Sequence, residues 1–136
     1  MTLQIMVNVD VDDLEKAIEF YTTALGLRLG RRLFEGSVAE MLGATSTIYL
    51  LSNPSGSTAV PKAALLREYK RHWTPVHLDF EVEDVSVAVE RAVGAGAKLE
   101  GEIRSFPWGC LASMSDPFGH GFCVLQFFGK GYDEVA

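Results

Sequence analysis

The chain has 136 residues, about one domain by length and long enough to bury a hydrophobic core. Nearly half of its residues, 48%, are apolar, which excludes a disordered or fibrous chain. Twelve basic side chains against eighteen acidic ones leave a net charge of -6, so the chain offers no cationic footprint to nucleic acid or an anionic membrane, and neither is an expected partner.

No apolar run approaches the ~20 residues that span a bilayer, and no basic flank or apolar leader precedes Asp10, so a cytoplasmic home is expected. The first alternating stretch is MVNVDVDDL, from Met6 to Leu14. Val7, Val9 and Val11 fall on one side of a strand, and Met6, Asn8 and Asp10 on the other. Leu14, Ala17, Ile18, Tyr21 and Leu25 then keep helical spacing, which predicts an amphipathic helix. Asp12 and Glu15 have the form of a capping box at its start, and Gly26 suits its C-terminal cap. Short β-rich pieces follow at roughly 27–34, 38–42 and 46–52, broken at Gly36 and Gly43.

From Asn53 to Trp73 turn formers give way to helix formers and basic residues. This predicts a linker with one or two helical turns, part of it folded over the surface. The alternating pattern then returns as HLDFEVEDV, from His77 to Val85. Leu78, Phe80 and Val82 form its back, and His77, Asp79 and Glu81 its front. Val85, Ala88, Val89 and Ala92 share one face of a second helix, with Gly94 and Gly96 near its end. Further strands are predicted at roughly 98–104, 110–115 and 122–127, with breaks at Pro107–Gly109 and Asp116–Gly121.

Laying Met6 over His77 also lays Asp13 over Asp84 and Leu14 over Val85, and one residue slips in the helix before Leu25-Gly26-Leu27 meets Ala95-Gly96-Ala97. The chain is an internal duplication of one βαβββ module. A helix covers one sheet face of such a module and leaves the other needing cover. The expected fold class is therefore α+β: two paired βαβββ modules forming a cupped mixed sheet, with the Met6 and His77 fronts facing a shared hollow. One domain over 1–136 is expected, with module one at 3–53, a linker at 54–73, module two at 74–130 and a tail at 131–136. The aliphatic backs of both first strands are assigned to the core. Cys110 is expected about four residues from Cys123's cross-strand neighbour, roughly 13 Å along the strand, too far for a disulfide.

The residues DLEKAIEFYTTALGL, HLDFEVEDV, PWG and SDPFGHGFCVLQF, in that order and spanning nearly the whole chain, resemble the vicinal oxygen chelate superfamily. That superfamily includes glyoxalase I, bleomycin-resistance proteins, fosfomycin-resistance proteins and extradiol dioxygenases. The resemblance implies a glyoxalase/bleomycin-resistance-like fold, often in a homodimer. In metal-using members it implies a divalent ion held by up to four side chains, one from the head of the first strand and one from the last strand of each module. His77 matches the family's histidine. Met6 stands at the equivalent head in module one and is not a usual ligand for such an ion. Cys123 stands where members place a closing-strand glutamate, and the closing strand of module one offers only Tyr49 as an oxygen donor.

His77 is read here as a hydrogen-bonding group in the pocket, with Asp79 or Tyr49 nearby, rather than as a metal ligand, because zinc sites normally need three or four protein ligands. Cys123 is read as a small apolar side chain before it is read as a ligand or nucleophile. Asp116 and His120 are read as turn scaffold. Trp108 suits a flat wall for a ligand and ordinary packing equally. Glu40 would be a general base with a raised pKa if it faced the hollow, but an outward, solvated position is the first expectation. Arg31, Arg32, Arg67, Lys70 and Arg71 read as solvated surface, with an anionic ligand at the rim as the sharper alternative.

The candidate pocket is thus Met6, Asn8, Tyr49, His77, Asp79, Trp108 and Cys123, with His77 and Glu40 the candidate catalytic groups and His77 and Cys123 the residual metal positions. The expected function is binding of a small organic molecule without a tightly held metal or other cofactor. The alternative is a divalent-metal-dependent lyase, isomerase or dioxygenase of the same superfamily.

Overall fold

The computed structural model describes residues 1–62 and 64–136, in two compact units, Met1–Tyr69 and Lys70–Ala136. The first unit contains β1 (Val7–Val11), α1 (Leu14–Leu25), β2 (Arg28–Leu33), β3 (Val38–Leu42) and β4 (Ile48–Ser52). Its sheet runs β1-β4-β3-β2, with β1 parallel to β4 and the other neighbours antiparallel. The second contains β5 (Leu78–Glu81), α2 (Val85–Ala95), β6 (Lys98–Leu99), β7 (Arg104–Phe106), β8 (Gly109–Ser115), β9 (Gly121–Phe127) and a closing 3-10 helix, Gly131–Val135. Its sheet runs β5-β9-β8-β6, with β7 also on β8, and β5 again pairs in parallel with the last strand. In both units the first strand thus lies parallel beside the last.

Each helix begins where an aspartate can hold its free N–H groups. Asp13 caps α1 by accepting from the Lys16 amide at 3.1 Å, and Asp84 caps α2 by accepting from Val87 at 3.1 Å. The cap of α1 is therefore Asp13 and not the expected Asp12: the helix begins at Leu14, and Asp13 has the extended backbone of a cap and holds the Lys16 amide. Gly26 and Gly96 end the helices in the left-handed conformation.

The helices cover the inner strands. In the first unit α1 lies on β3 and β4, burying Ala17, Phe20 and Tyr21 with Ala39, Met41, Ile48 and Leu50. In the second α2 lies on β9 and β8, and Val85, Val89 and Ala92 are buried there with Ala112, Met114, Phe122 and Val124. Each fully buried Leu, Met or Phe contributes roughly 1.5–3 kcal/mol relative to an exposed one. The assignment of both first-strand backs to the core is corrected. Val11 is fully buried, but Val7, Val9, Leu78, Phe80 and Val82 are only half-buried, because β1 and β5 are edge strands of their sheets.

Two other expectations change. The predicted strand at 98–104 is two strands, since Gly101 turns the chain at φ 81° between β6 and β7. The segment after Asn53 forms no helical turn among the described residues. Instead a Thr58–Leu66 bridge and main-chain bonds from Gly56 to Arg67 and from Arg67 to Ser57 fold it back on itself, with Arg67 bonded to Asp10 at 2.7 Å. Ala63, inside that predicted linker, lies outside the described residues. Cys123 pairs with Ser113, one position nearer Cys110 than expected, and both thiols are free.

Candidate functional site

Strand register places the candidate polar residues in rows. Asn8, Tyr49 and Glu40 lie side by side across β1, β4 and β3, on the face opposite α1. Asp79, Cys123 and Ser113 form the corresponding row across β5, β9 and β8, on the face opposite α2. His77 reaches the same side, its Nε2 lying 3.3 Å from an Asp79 carboxylate oxygen. The alternation in both twin stretches therefore sorted front from back correctly. Met6 precedes β1 and is 68% exposed.

Glu40 departs from both expectations for it. It is only 7% exposed, so it is not an outward, solvated carboxylate. Nor is it a base with a raised pKa. The Arg31 side chain, aided by the Arg31 backbone N–H, holds its carboxyl below the usual range against a smaller desolvation effect. A carboxylate kept ionised and fully engaged is a poor proton acceptor.

Cys123 is 5% exposed. Burial is the main cause that pushes its thiol up, and the nearby Asp79 carboxylate adds to it against a hydrogen bond with Ser113. Near neutral pH it is a thiol rather than a thiolate, which disfavours nucleophilic attack. Trp108 stacks on Phe106 at a ring distance of 5.2 Å and touches Phe127 and Tyr132. Of its two readings, ordinary aromatic packing accounts for these contacts. Asp116 is turn scaffold, as read from the sequence: one carboxylate oxygen accepts from Phe118 at 2.8 Å and His120 at 2.9 Å.

Arginines among the basic residues singled out are paired within the fold. Arg31 binds Glu40, Arg32 binds Glu15, Arg67 binds Asp10, and Arg71 binds Glu100. Their charge is spent internally, which weakens the reading of an anion-binding rim.

The structure adds Trp73, which the sequence reading left in the linker, and Glu100, which it placed in the strand at 98–104 without a role. Glu100 continues the β6–β8 ladder opposite Ser113, on the same face as Asp79 and Cys123. Its carboxylate accepts from Arg71 and from the Trp73 indole N–H at 3.1 Å, and its pKa falls to about 2, chiefly through Arg71. The Trp73 ring meets the His77 ring edge to face at 5.5 Å. His72 and His120 are bonded ring to ring at 3.0 Å. A glycine at 121 and aromatic residues before His77 are visible in the sequence, but nothing in their spacing announces that the chain doubles back.

Comparison with known proteins now has a geometry to attach to. A glyoxalase-like domain family matches residues 6–125. The chain belongs to this family. The anthracycline biosynthesis protein DnrV of Streptomyces peucetius is 28% identical over 126 residues, 92% of this chain, and this chain spans 41% of DnrV's length. The fosfomycin resistance protein FosX of Listeria monocytogenes superposes with a TM-score of 0.72 at 18% identity, covering 100% of this chain and 99% of FosX. TnmS3, an antibiotic binding protein of Streptomyces sp. CB03234, gives 0.65 at 24% identity, covering 94% of this chain and 98% of TnmS3. These structural likenesses establish the glyoxalase/bleomycin-resistance-like α+β fold.

Family members that use a divalent ion raise the question of whether these residues fit one. His77, Asp79 and Cys123 each offer a ligand atom, all within 4.8 Å of one another. Asp79 was not anticipated as a donor in this set. The set supplies only three donors, all from one unit, where a closed ion site takes four, so it fits a tightly held structural ion poorly. No helix among the described residues is long and apolar enough to cross a membrane.

Proposed function

We propose that this glyoxalase-like chain binds a small organic molecule against the polar front on which His77 lies, without a tightly held metal. The observation that carries the reading is the chemistry at the family's coordinating positions. Met6 replaces a ligand, and Cys123 replaces a carboxylate with a buried thiol. Without an ion to polarise an oxygen, lyase chemistry loses its main electrostatic support, and recognition becomes the stronger role. In that role the His77 imidazole donates or accepts a hydrogen bond, oriented by Asp79, while Ser113 and the Cys123 thiol supply further polar contacts. The naming of TnmS3 as an antibiotic binding protein and of FosX as a fosfomycin resistance protein supports a small-molecule ligand.

The proposal includes a single 1–136 domain, a homodimer and a cytoplasmic location. The net charge of -6 favours neither nucleic acid nor membrane as partner.

The test is a thermal-shift screen of chelator-treated protein against fosfomycin, bleomycin, an anthraquinone and a panel of small metabolites. At least one compound should raise the melting temperature as much with chelator as without, and His77→Ala should weaken that effect. Binding that disappears with chelator would refute the metal-free reading.

The His77–Asp79–Cys123 cluster favours a second reading, a divalent-metal-dependent lyase, isomerase or dioxygenase. It requires chelator-sensitive turnover of a hemithioacetal, an epimerisable acid or a catechol, lost in His77→Ala.

A further inference from the structure

The front of the second unit's sheet also carries Arg104. On β7 it stands opposite Leu111 of β8, which stands opposite Leu125 of β9, so the three side chains share a face. Leu111 and Leu125 lie two positions along their strands from Ser113 and Cys123, which places Arg104 on the same front as the polar row. Phe106, two residues further on β7, takes that face as well, and the Arg104 guanidinium lies over its ring at 5.6 Å.

Arg104 differs from the arginines already described. It is exposed, and among the described residues its guanidinium makes no ion pair or hydrogen bond. A ring beneath a guanidinium supports the cation and fixes its position but accepts none of the N–H groups in its plane, so the planar fork stays available to a carboxylate. The acids of this front do not supply one. Glu100 is held by Arg71, Asp79 lies beside His77, and Glu81 stands at the opposite edge with β9 and β8 between. Glu102, just before β7, forms no ion pair with Arg104.

The ground between the cation and the polar row is apolar. It consists of Leu111 and Leu125, and on the ladder Arg104 lies about 7 Å along the strands and about 10 Å across them from Cys123. A molecule of one or two fused rings suits that span. The charge also reaches the row: burial pushes the Cys123 thiol up, and Arg104 is among the influences that pull it back. The far end of the row is accessible, with the His77 and Asp79 side chains 40% and 39% exposed.

We propose that the ligand of this front is an organic acid, its carboxylate held by the Arg104 guanidinium and its apolar body lying over Leu111 toward Ser113 and Cys123. This deepens the small-molecule reading by naming the class of ligand, and it rests on that reading.

The experiment compares binding of naphthoate and of its neutral amide, naphthamide, to the full chain, to Arg104→Gln and to Arg28→Gln. Arg28 is an exposed arginine of β2 in the first unit, so its loss changes net charge without touching this front. The acid should bind the parent protein about tenfold more tightly than the amide, as expected of a hydrogen-bonded charge pair. Arg104→Gln should bring the acid down to the amide and leave the amide unchanged, and Arg28→Gln should keep the preference. Equal binding of acid and amide to the parent would overturn the inference, as would a preference that survives Arg104→Gln. Loss of both probes alike in Arg104→Gln would make Arg104 a support of the fold and overturn it too. If neither probe binds the parent, the inference falls, and the compound screen decides separately whether the wider small-molecule reading falls with it.

Discussion

Arg31 and Glu40 face each other across β2 and β3, the guanidinium Nε lying 3.1 and 3.2 Å from the two carboxylate oxygens and Nη2 2.6 Å from one of them. The Arg31 backbone N–H adds a fourth contact at 3.2 Å. This pairing is why Glu40 can sit among apolar neighbours on β3, and why it is not a general base.

The pair makes stability depend on acid in a definite direction. The folded Glu40 pKa lies below its ordinary value of 4.5, so its contribution is present above pH 4.5 and is lost as the pH falls through the lowered value. Glu40→Gln should therefore lower the melting temperature near neutral pH, and the gap to the parent protein should close in acid. A melting series from pH 7 downward checks this. A gap that grew in acid would contradict it.

Cys123 should behave as a protected thiol. Burial raises its pKa above the ordinary 9.0, so the thiolate appears only at higher pH. In a Cys110→Ser background, the pH profile of iodoacetamide labelling should have its midpoint above 9.0, and labelling near neutral pH should be slower than for an exposed peptide thiol. A midpoint below 9.0 would mark Cys123 as an activated group and revive its reading as a nucleophile or ligand.

The core and the caps give two stability predictions of different size. Leu50 is fully buried between β1 and β3, and Leu50→Ala should cost about 2–5 kcal/mol because the lost contacts and the cavity add. Asp13→Ala or Asp84→Ala should each cost ~0.5–2 kcal/mol by freeing a helix N–H group. Urea denaturation of the three variants measures both. A larger loss from a cap than from Leu50 would contradict the account of what holds each unit together.

Much of this architecture was legible because two local signals agreed. Period-two alternation marked β1 and β5, helical spacing followed each at once, and aspartate and glycine bounded both helices. The same alternation assigned Asn8, His77 and Asp79 to the fronts. What the alternation could not reveal was strand order. Val7, Val9, Leu78, Phe80 and Val82 look like core residues by pattern, but they lie on edge strands, and edge position is a property of the whole sheet. Glu40 shows the same limit for a site residue. Its environment is set by Arg31, which reaches it only because β2 and β3 pair. Trp73 and Glu100 lie far apart in sequence and meet only in the folded unit, so no spacing rule could have joined them.

The Arg71–Glu100 ion pair should be lost in acid. Glu100 has a folded pKa of about 2 against an ordinary 4.5, so the pair's contribution is complete above pH 4.5 and is lost as the pH falls toward about 2. In Trp108→Phe protein, Trp73 emission should shift to the red across that window, and Glu100→Gln should produce much of the shift at neutral pH. An emission spectrum unchanged by either acid or Glu100→Gln would show that the ion pair does not hold Trp73 in place.

The measurement that bears most directly on the proposed function is elemental analysis of the purified protein, alongside its His77→Ala variant. The metal-free reading predicts far less than one equivalent of zinc, nickel, iron or manganese per chain, and no difference between the two proteins. Near-stoichiometric metal in the parent that disappears in His77→Ala would contradict it and make His77, Asp79 and Cys123 a coordination site.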